Sequence, residues 1–152
     1  SLMLKNRGDK YVIFYMVDLD NFKNVNDTLG HIYGDQAIVE TAQCLNKVFA
    51  NQDCIGRLGG DEFAVCVSYQ AFDEQGLLEF IGKKAQEICA GNRRTYTDNA
   101  ASVSITSSIG VAYAPDMGDS FTELYTQADC ALYYSKANGK DQYHIYSPKD
   151  DN

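Results

Sequence analysis

The chain has 152 residues, of which 45% are hydrophobic and 12% aromatic, so it is long enough for one folded domain and too apolar to be disordered. Its net charge of −8 argues against nonspecific binding to nucleic acid or to an anionic membrane, so an anionic ligand would need Mg²⁺ or Mn²⁺ as a mediator. Five scattered cysteines without a C-x-x-C pair predict small buried thiols in a reducing, cytoplasmic compartment, not a zinc site or a disulfide framework.

The first half of the chain begins with an apolar run over residues 11–17. Such a run predicts a central strand buried on both faces, and it is too short to span a membrane. A short helix is predicted over residues 21–29, with Asp20 or Asn21 as its N-cap. We expect the two glycines that follow to end this helix and Asp35 to cap a longer one that continues to about residue 49.

A β-hairpin is predicted over residues 53–68, where two β-forming runs are separated by Gly59-Gly60. Glycine adopts positive φ without steric cost, so this pair favours a tight turn. Asp61 and Glu62 follow directly. The tip of the hairpin is therefore expected to carry two adjacent carboxylates.

The second half of the chain alternates helices and strands. The patterns predict a helix over residues 73–90, a strand over 102–112, a helix from about Phe121 that Asn138-Gly139 terminate, and a last short strand over 142–146. The polar residues 91–100 have no periodicity and are interpreted as a connection. The order β-α-α-β-β-α-β-α-β predicts an α+β domain with a mostly antiparallel central sheet and flanking helices, in the ferredoxin-like or polymerase-palm-like manner.

Three carboxylates are expected to converge in such a sheet. Asp18 is predicted to end the first strand, which would lie beside the hairpin that carries Asp61 and Glu62. Clustered acids repel one another unless a cation lies among them, and oxygen ligands favour Mg²⁺. The alternative is that Asp18 and Asp20 cap a helix and that Asp61 is a turn residue.

Several polar residues are candidates for binding a nucleotide. Phe22 and Lys23 open the first predicted helix, where backbone N–H groups can bind phosphate. Asn26 can donate and accept hydrogen bonds at a base edge. Asp35 can accept two N–H bonds, which guanine offers and adenine does not, although a capping role for Asp35 is equally consistent with the sequence.

Two lysines, Lys136 and Lys140, lie around the end of the fourth predicted helix. There they would complement the helix dipole, or they would reach across to neutralise a triphosphate. The sequence leaves both roles open.

Five motifs in this order resemble the GGDEF family of diguanylate cyclases, and the resemblance covers about residues 10 to 147. The hairpin signature is the most specific of them. The motifs are Asp18 to Lys23 with Asn26-Asp27, Gly30-His31 with Gly34-Asp35, Arg57 to Phe63, Ser108 to Ala112, and Ala128 to Tyr133.

The resemblance implies an enzyme that condenses two GTP into cyclic di-GMP and two pyrophosphates. Asp18, Asp61 and Glu62 would be its catalytic residues, and with the Leu19 carbonyl they would hold two Mg²⁺ or Mn²⁺ ions in each half-site. The nucleophile would belong to a second GTP, so catalysis would need a face-to-face homodimer.

The resemblance also assigns the substrate contacts by position. Phe22 and Lys23 would offer backbone contacts to the phosphates, and Asn26 and Asp35 would read guanine. By the same analogy, Lys136 and Lys140 would contact the β- and γ-phosphates.

The sequence departs from the family pattern in three places. Residues 50–53 read Ala-Asn-Gln-Asp where the family often has an inhibitory Arg-x-x-Asp site, so we expect no product inhibition there. Lys140 replaces the usual Arg, which predicts a weaker grip on phosphate. An upstream Asp-x-Leu-Thr segment and its helix are missing, which we expect to lower stability, disturb the dimer face or inactivate the fragment.

Residues 1–152 are interpreted as a single GGDEF domain excised from a longer bacterial signalling protein, monomeric in isolation and without direct membrane contact. Whether the parent protein is anchored in a membrane is left open. A rival hypothesis is a catalytically idle GGDEF module that binds GTP or cyclic di-GMP, or that mediates dimerisation. A third is a related cyclase that accepts ATP, against which Asp35 argues because a carboxylate would face the acceptor N1 of adenine.

Overall fold

The computed structural model describes residues 2–50 and 54–151. Over these residues the helices are α1 (Leu2–Lys5), α2 (Phe22–Leu29), α3 (His31–Val48), α4 (Glu74–Asn92) and α5 (Phe121–Ala137). The strands are β1 (Tyr11–Asp20), β2 (Cys54–Gly59), β3 (Glu62–Tyr69), β4 (Arg94–Thr97), β5 (Ser102–Ala114) and β6 (Gln142–Ile145). A 3₁₀ turn, Pro148–Asp151, follows the last strand.

The strands form one sheet with the order β2-β3-β1-β5-β4, in which all neighbours are antiparallel. Strand β6 pairs with β5 in parallel, alongside the part of β5 that β4 does not cover. The predicted α+β class with a mostly antiparallel sheet and flanking helices is therefore confirmed.

The central strand β1 is buried on both faces, as its apolar run predicts. Ile13, Tyr15 and Val17 belong to a core cluster that includes buried residues of α3 and α4. Phe14 and Met16 point to the opposite face and pack in a second cluster with residues of α1 and α5. Because successive side chains of a strand alternate between faces, one apolar run supplies both layers of the core.

The boundary between α2 and α3 differs from the prediction. Gly30, with φ 96°, ends α2 and begins α3 at once, so Asp35 lies inside α3 and does not cap it. Gly34 is also inside α3, where it packs closely against another side chain instead of breaking the helix. Asn21 is the N-cap residue of α2 by position, but its side chain donates to the Ser104 carbonyl instead of capping the helix.

The sheet also contains more strand than predicted. Strand β1 does not end at Asp18 but continues to Asp20, because its register with β5 reaches Asp20 opposite Thr106. The connection predicted over residues 91–100 contains the short strand β4, which buries only Tyr96. In α4 the buried face runs through Leu77, whereas the neighbouring Leu78 is only partly buried.

The hairpin is formed as expected, with its turn at Gly60-Asp61 and with Gly60 at φ 49°. Residues 51–53 lie outside the described residues. They include the predicted start of the hairpin and most of the segment that stands in place of the inhibitory Arg-x-x-Asp site.

The expectation of buried cysteines holds for Cys89 but is wrong for Cys54, which is exposed on β2. No described helix is both long and apolar enough to cross a membrane.

Candidate active site

Three carboxylates meet where β1 lies beside the hairpin turn. Asp18 is the register partner of Glu62 on β3, and the Leu19 backbone N–H donates to the Asp61 carbonyl at 3.2 Å. The Asp61 side chain lies close enough to that of Asp18 for its charge to affect the pKa of Asp18. The structure therefore brings together the three acids predicted from the sequence, although Asp18 does so from within a strand.

The pKa values of these acids reflect burial first and neighbouring negative charge second. Burial raises the pKa of Asp18 to about 6; the charge of nearby Asp61 adds to the rise, and Lys136 opposes it. Burial also raises the pKa of Glu62, and the charges of Asp129 and Asp61 add to that rise. A cation close to these carboxylates would relieve the repulsion.

Lys136, in the last turn of α5, supplies part of that positive charge. Its ammonium lies 3.1 Å from Asp18 Oδ2 and 2.6 Å from Asp20 Oδ1, and it donates to the Leu19 carbonyl at 3.3 Å. Since α5 crosses β5 at Gly110, where an added Cβ would collide with the helix backbone, the helix lies close enough to the sheet for the lysine to reach the acids. Lys136 thus does more than complement the helix dipole.

Asp20 is the residue whose role the sequence did not reveal. It is 3% exposed and accepts four hydrogen bonds: from Thr106 Oγ1 (2.6 Å), Ser108 Oγ (2.7 Å), Lys136 Nζ (2.6 Å) and the Asp141 backbone N–H (3.1 Å). Burial raises the pKa of Asp20, but the hydrogen bonds from Lys136 and the two hydroxyls outweigh it, and the pKa is lowered. The signal for this site was the run of hydroxyl residues on β5, which the predicted N-cap role for Asp20 obscured.

A groove of about 400 Å³ opens above the acids and reaches the start of α2. No side chain caps the first turn of α2 within the described chain, and such uncapped N–H groups can bind phosphate. Lys23 is exposed at this turn and pairs with Asp27 at 3.6 Å. The groove is lined by Asp18, Leu19, Asn21, Phe22, Lys23, Asn24, Asp27, Asp61 and Lys136.

Asn26 and Asp35 lie apart from the acids, at the corner between α2 and α3. An ideal Cβ on Gly34 would lie 1.8 Å from Asn26 Oδ1, so the asparagine side chain rests directly on the backbone of α3. Asp35 is the next residue of α3 and is exposed. The structure therefore places both predicted base-reading residues at one corner.

Lys140 follows the end of α5. Its backbone N–H donates to the Ser135 carbonyl at 2.9 Å, which closes the helix end around Gly139 at φ 116°. The residue itself has φ 62° and is exposed. Its position after the helix places its backbone near that of Lys136, as the sequence predicted.

The donor set of the site fits a hard divalent cation. Asp18, Asp61, Glu62 and the Leu19 carbonyl offer only oxygen atoms, which Mg²⁺ prefers. In residues 2–50 and 54–151, no three His, Cys, Asp or Glu side chains are arranged as a ready metal cluster. Asp18 and Asp61 nevertheless lie close enough for the charge of Asp61 to add to the rise that burial causes in the pKa of Asp18.

Comparison with known families and relatives gives consistent matches. The family model for the diguanylate cyclase GGDEF domain matches residues 1–142. The bifunctional diguanylate cyclase/cyclic di-GMP phosphodiesterase MucR of Pseudomonas aeruginosa is 35% identical, with 92% of this chain and 20% of that protein covered. The probable diguanylate cyclase DgcC of Escherichia coli is 32% identical (91% and 36% covered), and the cyclic di-GMP phosphodiesterase PdeR of the same species is 32% identical (93% and 20% covered). This chain therefore spans between a fifth and about a third of these relatives.

Solved structures match over nearly the whole chain. The GGDEF domain of YfiN (TpbB) from Pseudomonas aeruginosa superposes with a TM-score of 0.86 and 28% identity, covering 99% of this chain and 87% of that one. The GGDEF domain of DgcB from Caulobacter crescentus, solved in complex with cyclic di-GMP, matches with a TM-score of 0.77 and 30% identity, covering 91% and 79%.

Proposed function

This chain belongs to the GGDEF family of diguanylate cyclase domains, and from that membership we propose that it condenses two GTP into cyclic di-GMP and two pyrophosphates. The observation that carries the proposal is the convergence of Asp18, Asp61 and Glu62 beside Lys136 at the groove. We further propose that residues 1–152 form one domain of a longer signalling protein.

The groove supports the proposal that the chain binds a nucleotide. The uncapped N–H groups at Phe22 and Lys23 would receive the phosphates, and Lys136 and Lys140 would add positive charge from the other side. Asn26 and Asp35 would hydrogen-bond to guanine from the α2–α3 corner. The substrate would then lie across the groove, with its phosphates close to the acids and its base at that corner.

GGDEF cyclases generally use Mg²⁺, and Asp18, Asp61, Glu62 and the Leu19 carbonyl are the residues that would hold it here. Bound ions would lower the pKa of the attacking ribose 3′-hydroxyl and stabilise the pyrophosphate leaving group. Lys136 bridges Asp18 and Asp20. Its ammonium would also be within reach of a phosphate group bound in the groove that Lys136 lines.

Catalysis by this site requires two copies of the chain. One groove of about 400 Å³ would hold one GTP, whereas the reaction joins two. The 3′-hydroxyl of each nucleotide must therefore meet the α-phosphate of the other across a face-to-face homodimer, in which each copy supplies a half-site.

The proposal is tested by mass spectrometry of the products after concentrated protein is incubated with GTP and Mg²⁺. Asp61→Asn keeps the size of the side chain but removes its charge, and Asp9→Asn removes an exposed charge before β1 as a matched control. We expect cyclic di-GMP from the parent chain and from Asp9→Asn, and none from Asp61→Asn. Equal product from all three would show that Asp61 has no catalytic role.

A second candidate function is a GGDEF module that binds nucleotide without converting it. It is favoured by the relative PdeR, whose name mentions only phosphodiesterase activity, and by the Lys136 ammonium, which already bridges Asp18 and Asp20. GTP binding by calorimetry without any product at high protein concentration would support this role over the cyclase.

A further inference from the structure

An ion pair joins the end of α4 to the turn that carries Lys140. Arg93, the residue directly after α4, donates from Nε to both carboxylate oxygens of Asp141, at 3.1 and 2.9 Å. Asp141 immediately precedes β6. The pair thus ties two elements that are distant in sequence.

The turn held by this pair has an uncommon backbone. Lys140 and Asp141 are consecutive non-glycine residues with φ 62° and φ 50°. L-residues enter this left-handed region at a steric cost, which Asp tolerates better than Lys. Such a conformation persists only where surrounding contacts fix it, and strained backbone of this kind is found at functional sites.

The contacts that fix the turn lead to the acids. The Asp141 backbone N–H donates to Asp20 Oδ2 at 3.1 Å, and Asp20 Oδ1 accepts from Lys136 at 2.6 Å. A continuous series of contacts therefore runs from Arg93 through Asp141 and Asp20 to Lys136. Lys140 projects from the same turn.

We propose that Arg93 is a positioning residue for the phosphate-binding lysines, an inference that rests on the proposed function. By holding the Asp141 carboxylate, Arg93 keeps the turn in the left-handed conformation that places the Asp141 N–H on Asp20. The same restraint fixes the backbone from which Lys140 extends. Loss of Arg93 would let the turn relax. Asp20 would then lose a hydrogen-bond donor, and the backbone of Lys140 would no longer be held in one conformation.

The ion pair is poorly suited to a role in global stability. The side chains of Arg93 and Asp141 are 54% and 32% exposed, and pairs with such exposure contribute little to unfolding free energies. A positioning role therefore predicts local effects at the turn and in nucleotide affinity, with an almost unchanged melting temperature.

The test compares the parent chain with Arg93→Ala, Arg93→Lys and Lys83→Ala, the last a control that removes an exposed cation of α4. Two quantities are measured: the amide exchange rate of Asp141 by NMR, and the Kd of a non-hydrolysable GTP analogue with Mg²⁺. For Arg93→Ala we expect about tenfold faster exchange and about fivefold weaker binding, as loss of one charge-assisted hydrogen bond would give. Arg93→Lys should recover part of both, and Lys83→Ala should match the parent.

An unchanged Asp141 amide exchange rate in Arg93→Ala would show that Arg93 does not restrain the turn. Faster exchange with an unchanged Kd for the GTP analogue would show that Arg93 does not position the lysines. If the parent chain binds no GTP analogue, the proposed function fails. The positioning of lysines for phosphate fails with it, whereas the exchange rate still decides whether Arg93 holds the turn.

Discussion

Gly110 on β5 lies directly under Ala128 of α5: an ideal Cβ at Gly110 would be 2.0 Å from the Ala128 carbonyl oxygen. Helix and sheet therefore touch through their backbones at this point. Lys136 lies about two turns further along α5, so the close contact sets how near its ammonium comes to Asp18. The spacing between a glycine and a helix backbone thereby becomes part of the site geometry.

Gly110→Ala should destabilise the fold strongly. The new methyl group would meet backbone atoms of Ala128 and Leu132, which cannot rotate away, so we expect a loss of about 3 kcal/mol in unfolding free energy. Gly56→Ala on β2 is the matched control, because a Cβ there would meet nothing within 4 Å. Urea denaturation measures both; similar stabilities for the two variants would contradict the contact.

Gly34→Ala should act mainly on guanine binding. The added methyl group would displace the Asn26 side chain, whose Oδ1 would be only 1.8 Å away, while α3 could keep its backbone. Loss of the hydrogen bonds from Asn26 to the base would weaken GTP binding about tenfold. Calorimetry with a GTP analogue checks this, and an inosine analogue, which lacks the exocyclic amine, tests whether the loss concerns the base.

Mg²⁺ should raise the stability of the metal-free protein. Binding to the acids only in the folded state would add about 1.4 kcal/mol to the unfolding free energy at ten times the Kd. Asp61→Asn should lose most of this gain, and Asp9→Asn should keep it. Thermal denaturation with and without Mg²⁺ gives the comparison, and an equal shift in Asp61→Asn would place the metal elsewhere.

Tyr96 should make stability depend on alkaline pH. Burial and the hydrogen bond to Glu40 raise the pKa of its phenol to about 12, whereas an unfolded tyrosine ionises near a pKa of about 10. The neutral phenol is thus favoured in the folded state, so its contribution is complete below about pH 10 and is lost as the pH rises toward 12.

The advantage in unfolding free energy of the parent chain over Tyr96→Phe should therefore shrink between pH 10 and 12. Urea denaturation across this window measures it in both proteins, which share all other tyrosines. A difference that stays constant from pH 8 to pH 12 would show that the Tyr96 hydroxyl is not responsible.

The sequence predicted the fold well where periodicity and turn chemistry act locally. The apolar run of β1 and the glycines of the hairpin sufficed to bring Asp18 and Asp61 to neighbouring strands. Prediction from the sequence failed where tertiary contacts decide. The pattern predicts Asp35 as the cap of α3, whereas α3 begins directly after Gly30. Strand β4 is too short to have a recognisable pattern. The Arg93–Asp141 pair joins residues 48 positions apart, which no local pattern indicates.

The two acids of the Asp-x-Asp motif have different coordination capacities. Each oxygen of Asp20 already accepts two hydrogen bonds, Oδ1 from Ser108 and Lys136 and Oδ2 from Thr106 and the Asp141 amide. A carboxylate has about four lone-pair positions, so Asp20 is saturated and could bind a metal only by giving up a donor. Asp18, two residues earlier, keeps capacity to spare. Asp20 thus holds the surrounding hydrogen bonds in place, and Asp18 is the carboxylate of the two that is able to exchange its partners.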